Sequence, residues 1–213
     1  CMTKNFKDID SIIFDLDGTL WDSRKEVADS WSEIIKQYDY KRQDVSFQEI
    51  NDLMGKTIDE IEDILFPDIP KEKRTEILAE ACKHENEYLA KYGARLFDNL
   101  EDTLENLSKK YRLFIVSNCQ TGYIEAFLNY YNLDKYFEDY EHPKKPETVK
   151  SDNIKLIAKR NNLKNPVYVG DTQGDANATK EAGLEFIYAS YGFGNVEEYK
   201  YKIEKIEDLL DLV

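Results

Sequence analysis

Four short runs of apolar, largely β-branched or aromatic residues recur along the chain, at residues 12–14, 113–116, 167–169 and 186–189. Each is followed by a polar or glycine-containing turn. Stretches with helical period separate the later runs, at residues 99–110, 122–131, 153–161 and 175–182. Short, continuously apolar runs fit strands buried on both faces, and strands alternating with helices argue for a parallel sheet covered on both sides. The expected fold class is therefore α/β.

Between Ser23 and about Tyr92 this rhythm stops, and only amphipathic helical pattern remains. Ser23-Arg24-Lys25-Glu26 has the form of a capping box, in which hydroxyl and carboxylate satisfy the first helical amides reciprocally. Residues 46–49 and 57–60 repeat the device, and residues 71–92 carry Ile77, Leu78, Ala81, Tyr88 and Leu89 near one helical face. An all-helical block inserted after the first strand reads as a second domain. The division expected is a core of residues 1–20 and 95–213 and an inserted domain of residues 21–94, with joints near 20–23 and 93–98.

Composition narrows the class. The 213 residues can bury a proper core, and 41% hydrophobic with 13% aromatic content describes a globular chain. No apolar run approaches the roughly 18 residues needed to span a membrane. The N-terminal segment, with Lys4, Lys7 and Asp8, does not resemble a signal peptide. Cys1, Cys82 and Cys119 have no ligand-like spacing, Cys1 before Met2 reads as a processing remnant, and a cytoplasmic location is expected. The net charge of −14 has the wrong sign for a nucleic-acid binder. An anionic substrate would need local help from a metal cation and a lysine.

The candidate chemistry lies at the ends of the predicted strands. Asp15 and Asp17 stand two positions apart where the first strand runs out, followed by Gly18 and Thr19. In open parallel sheets, ligands bind just beyond the carboxyl ends of the strands. The second strand runs out into Ser117-Asn118, whose hydroxyl and amide suit phosphate oxygens, although the pair is also an ordinary turn. A later strand runs out into Gly170-Asp171-Thr172-Gln173-Gly174-Asp175. Were these strands adjacent, Asp15, Asp17, Asp171 and Asp175 would converge and repel unless a hard cation sat among them, and all-oxygen ligation suits magnesium.

With Asp15-Leu16-Asp17-Gly18-Thr19-Leu20, Ser117-Asn118, a lysine before the next helix and Gly170-Asp171-Thr172 through Asp175 in that order, the whole chain resembles the haloacid dehalogenase superfamily. The likeness is greatest to its phosphatases of the phosphoglycolate-phosphatase type. The resemblance implies a Rossmann-like parallel-sheet core with an inserted all-helical cap, and a magnesium-dependent phosphatase for a small phosphorylated metabolite, phosphoglycolate-like or a sugar phosphate. It implies Asp15 as the nucleophile that forms an aspartyl-phosphate. Asp17 would be general acid and then base, contributing its backbone carbonyl to the metal. Asp171 and Asp175 would complete a metal site with Asp15 and Asp17. Ser117, Asn118 and Thr19, with nearby backbone amides, would bind phosphate oxygens. For the phosphate-binding lysine, Lys150, ahead of a helix capped by Ser151 or Asp152, is favoured over Lys145, with Lys144 a solvated loop charge.

Other readings are weighed beside this one. Asp17 argues against dehalogenation, which needs no acid for an alkoxide. A phosphosugar mutase is the alternative, but residues 23–32 lack the histidine that sub-family carries. A phosphonatase would need a cap lysine, such as Lys25 or Lys56, and a non-catalytic binding protein of the same fold would most simply have lost Asp15. His84 and His142 read as structural, Cys119 as packing, and Tyr191-Gly192-Phe193-Gly194 as a plain turn in preference to a wall of the pocket. Trp21 and Asp22 would touch substrate or set the hinge. No nucleic-acid or membrane partner is expected, and the oligomeric state is expected to be a monomer or weak homodimer.

Overall fold

The strand alternation reappears in the computed structural model, which describes residues 6, 8–38, 42 and 44–213; Cys1 lies outside them. The chain runs through β1 (Ser11–Phe14), a two-residue strand β2 (Trp21–Asp22), helices α1 (Arg24–Ile35), α2 (Phe47–Leu53), α3 (Ile58–Leu65) and α4 (Lys71–Tyr92), and a second two-residue strand β3 (Arg95–Leu96). It then alternates through α5 (Leu100–Ser108), β4 (Arg112–Val116), α6 (Tyr123–Tyr130), β5 (Asp139–Glu141), α7 (Lys150–Arg160), β6 (Pro166–Gly170), α8 (Gln173–Ala182), β7 (Glu185–Ala189), β8 (Tyr201–Ile203) and α9 (Leu209–Leu212).

Six strands form one sheet in the order β5-β4-β1-β6-β7-β8, and every pairing in it is parallel. Alternate side chains go to opposite faces. Ile12, Phe14, Ile115 and Val169 join one apolar cluster with Leu104 of α5 and Phe127 of α6. Ile13, Phe114, Val116 and Tyr168 join another with Ile154 and Ile157 of α7. Burial on both faces explains why these strands read as continuous apolar runs.

Helices α1 to α4 hold a separate cluster that includes Val27, Trp31, Ile50, Ile61 and Leu78. Leu89, further along α4, belongs to the sheet-side cluster. The chain leaves and returns to the sheet through the antiparallel ribbon of β2 and β3, which pairs Trp21 with Leu96 and Asp22 with Arg95. Trp21 is fully buried, edge-on to Tyr123, Phe127 and Tyr131.

Three local expectations are corrected. The capping boxes at Ser46 and Thr57 form, but Ser23 makes no side-chain cap to α1, because its hydroxyl is taken by Asp17. Helix α7 starts at Lys150 itself, and neither Ser151 nor Asp152 caps it. Strands β5 and β8 had no apolar run to announce them: they lie at the sheet edges and are partly exposed. Among the described residues, no helix is long and apolar enough to cross a membrane.

Candidate active site

Strand register builds the site. In β1, Phe14 lies opposite Ile115 of β4 and Val169 of β6. The next residue on each strand or just past it is Asp15 in the middle, with Ser117 two beyond Ile115 and Asp171 two beyond Val169. The Asp15 amide donates to the Val169 carbonyl at 2.9 Å, which carries the pairing up to the carboxylate. Helix α8 adds Asp175 from its first turn, where Thr172 and Asp175 form a capping box.

One carboxylate oxygen from each of Asp15, Asp171 and Asp175 lies within 4.8 Å of the others, and all three residues are buried. Lys150, at the start of α7 and also buried, donates to Asp15 Oδ1 at 3.1 Å and to Asp175 Oδ1 at 2.6 Å. Lys145 is exposed, so only Lys150 of the two candidate lysines reaches these acids. Asp175 Oδ2 accepts from the amides of Asp171 and Thr172, both at 3.1 Å.

The charges are unequally compensated. Burial and the adjacent Asp175 hold Asp15 well above the usual carboxylate range, against the pull of Lys150. Burial and Asp175 push Asp171 up to about 6. Burial acts on Asp175 too, but Lys150 and the Thr172 amide outweigh it and hold that carboxyl below its ordinary value. Three carboxylates against one ammonium leave a deficit of positive charge in an all-oxygen donor set, which fits a hard divalent cation.

Gly18 makes this approach possible. Its φ of +82° suits glycine, and a Cβ there would lie 2.2 Å from Asp171 Oδ2. The segment read as a plain turn is also part of the site: the Phe193 amide donates to Asp171 Oδ2 at 2.8 Å, and Tyr191 donates to the Thr19 carbonyl at 2.7 Å.

Asp17 stands apart from the three-acid cluster. Its Oδ1 accepts from Trp21 Nε1 at 3.0 Å, Ser23 Oγ at 3.0 Å and Tyr123 OH at 2.5 Å. Burial raises its pKa, and these three donors oppose the rise. With Oδ1 so occupied, Oδ2 is the oxygen available to carry a proton. The side chain therefore does not join Asp15, Asp171 and Asp175 as a fourth carboxylate ligand, which corrects the four-acid convergence.

The expected phosphate ligands divide. Ser117 is buried at the end of β4 beside the cluster's strand. Asn118 Nδ2 donates instead to the Gly55 carbonyl of the helical block at 3.3 Å, and its Oδ1 is buried with no hydrogen-bond partner. Thr19 is turned inward: its hydroxyl points to Asp171 Oδ1 at 3.4 Å, and its amide closes a turn to Leu16. Thr19 and that amide are thus committed within the loop rather than open to phosphate.

Four contributors escaped sequence reasoning. Ser23 had read as a cap and Tyr123 as one core tyrosine among many, while nothing marked Gln120 or Glu85. Glu85 of α4 is 2% exposed and accepts on Oε2 from Trp31 Nε1 at 2.8 Å and Gln120 Nε2 at 3.0 Å. Burial and nearby Asp17 push it up to about 8, against the two hydrogen bonds. His84 pairs with Glu33 and His142 with the Pro143 carbonyl, so both are structural.

Comparison with known proteins places this geometry. A family model described as haloacid dehalogenase-like hydrolase matches residues 12–189. Phosphoglycolate phosphatase of Escherichia coli strain K12 is 28% identical, over 88% of this chain and 84% of its own length. Pyrophosphatase PpaX of Bacillus mycoides strain KBAB4 is 26% identical, over 96% of this chain and 97% of its own. Among solved structures, a haloacid dehalogenase-like family hydrolase from Streptococcus pneumoniae superposes with a TM-score of 0.77 at 24% identity, covering 95% of this chain and 97% of that one. This last likeness concerns the fold.

Proposed function

The chain belongs to the haloacid dehalogenase-like hydrolase family, and from that premise we propose that it is a magnesium-dependent phosphatase of a small phosphomonoester. The observation that carries the reading is the pairing of two differently held acids two residues apart. Asp15 lies among Asp171, Asp175 and Lys150, and Asp17 is held by neutral donors. Relatives named phosphoglycolate phosphatase and pyrophosphatase act on small phosphorylated compounds, which supports the substrate class.

In this reading Asp15 attacks phosphorus, and its new O–P bond forms as the bond to the leaving alkoxide breaks. The proton on Asp17 passes to that alkoxide. A water molecule then attacks the aspartyl-phosphate, gives its proton to Asp17, and releases inorganic phosphate with Asp15 restored. Splitting one displacement in two in this way is the gain from a covalent nucleophile. Asp15, Asp171, Asp175 and the backbone carbonyl of Asp17 would hold the magnesium ion, which when bound supplies charge neutralisation at the phosphoryl oxygens. Lys150 and Ser117 would bind the same group. Residues 21–94 form the cap and residues 1–20 and 95–213 the core, and Arg24 bridges them: it bonds Asn51 at 2.6 Å and stacks on Phe193 at 3.8 Å.

The test is phosphate release from a panel of small esters with magnesium and with chelator, for the wild type and Asp15→Asn. Release from at least one ester, lost with chelator and in the variant, is expected. Full activity in Asp15→Asn overturns the mechanism.

A further inference from the structure

Beside Asp17, between the helical block and the sheet, lies a cavity of about 50 Å³, room for roughly a few non-hydrogen atoms. Its outer wall is apolar, from Val27, Trp31, Ile50, Leu53, Ile58 and Ile61. Two acids face it, Asp17 from the loop after β1 and Glu85 from α4. Among the described residues its one cation is Lys56, which also borders the neighbouring groove with Lys150 and Thr172, so Lys56 lies toward the proposed phosphoryl end. Among the described residues Glu85 has no cationic hydrogen-bond partner: its two donors are the neutral Trp31 indole and Gln120 amide, both on Oε2. The second amide hydrogen of Gln120 goes to Asn86 Oδ1 at 2.9 Å, which fixes its orientation.

In the phosphatase reading this cavity holds the leaving group, and it presents apolar carbon, the Glu85 carboxyl with its two bonds on Oε2, the Asp17 acid and, at one end, Lys56. A second anion on the substrate would be desolvated against two acids, and among the described residues lining the cavity there is no arginine and only Lys56, at the far end, to meet it; burial of that kind is costly. A hydroxyl, by contrast, would pair with Glu85 Oε1. Sites built to hydrogen-bond a substrate hydroxyl discriminate strongly against analogues without it.

We propose that Glu85 selects the leaving group: the substrate is a phosphate monoester of a small uncharged alcohol whose second hydroxyl bonds the Glu85 carboxyl, and leaving groups bearing a carboxylate or second phosphate are rejected. This rests on the phosphatase reading above. Because Glu85 is held from α1 and from the Gln120 loop together, the selecting group is assembled only where helical block and sheet meet.

The experiment compares kcat/KM within matched pairs in which a terminal hydroxymethyl group is replaced by a carboxylate: 2-hydroxyethyl phosphate against 2-phosphoglycolate, and glycerol 3-phosphate against 3-phosphoglycerate. Acetyl phosphate serves as a general phosphoryl donor. The wild type is expected to favour the hydroxyl member of each pair by on the order of 100-fold, a comparison that needs no variant to fold. In Glu85→Gln, with folding checked by circular dichroism, that ratio is expected to narrow at least about tenfold. A purely structural bracket between Trp31 and Gln120 would leave the ratio unmoved, and that result overturns the proposal. Turnover with equal or better use of the carboxylate members overturns the selection alone. No phosphate release from any compound, acetyl phosphate included, overturns the phosphatase reading and this inference with it.

Discussion

The two ends of the site hold their acids by opposite means. At the proposed phosphoryl end, Asp15 and Asp175, clustered with Asp171, pair with a charged partner, Lys150. At the proposed leaving-group end, the side-chain hydrogen bonds to Asp17 and Glu85 among the described residues come from neutral donors: Trp21, Ser23 and Tyr123 for one, Trp31 and Gln120 for the other. A buried charge needs a counter-charge, whereas a buried carboxyl that keeps its proton needs only hydrogen bonds. The first arrangement suits a dianionic group and a cation. The second suits moving a proton to an alkoxide whose carbon skeleton carries no further charge.

Removing the proposed nucleophile is the severest test of this contrast. Asp15→Asn is expected to lower phosphate release by on the order of 10⁴-fold or more, measured as steady-state turnover with saturating magnesium. Next in size, Lys150→Met would leave the three buried carboxylates without their ammonium. A loss of about 3–5 kcal/mol is expected in urea unfolding without divalent cation. Added magnesium should recover part of that loss; if it does not, the acid cluster is no cation site.

Glu85 gives the leaving-group end its own signature in stability against pH. Its carboxyl is pushed up to about 8 in the folded chain, against about 4.3 for a free glutamate. The folded state therefore holds this proton where the unfolded state releases it. The contribution is full below about pH 4 and is lost progressively as pH rises to about 8, by on the order of a few kcal/mol in all. Asp17, Cys82, Cys119 and Tyr123 lie near the group and Lys56 borders the cavity it faces, so the measurement is the wild type minus Glu85→Gln difference in unfolding free energy at pH 5, 6.5 and 8. A difference that does not change with pH would break the contrast between the two ends. Smallest is Tyr123→Phe, which removes one of three donors to Asp17. A fall in kcat of roughly 10-fold, with KM little changed, is expected from one lost hydrogen bond of about 1–2 kcal/mol.

Much of this site was legible before any coordinates. Asp15, Ser117 and Asp171 each follow an apolar run, and strands buried on both faces cannot hide where they end. Lys150 was distinguishable from Lys145 because a helix begins there. The ribbon of β2 and β3 was not legible, since each strand has two residues and the partners lie far apart in the chain. Ser23 misled because a hydroxyl before a helix has two competing uses, and Asp17 outbid the helix amides. Tyr191 to Gly194 read as a turn because its value lies in which carboxylate it meets.

By itself the sequence determined the α/β class, the helical insertion and the acids at the strand ends, because period and strand termination are local properties of neighbouring residues. Only the tertiary structure decided which acids share a cation-like pocket, which one is held by neutral donors, and that Glu85 faces Asp17. Those outcomes depend on burial and on partners brought together by sheet register and by the packing of α4 against α6, and no local pattern encodes either.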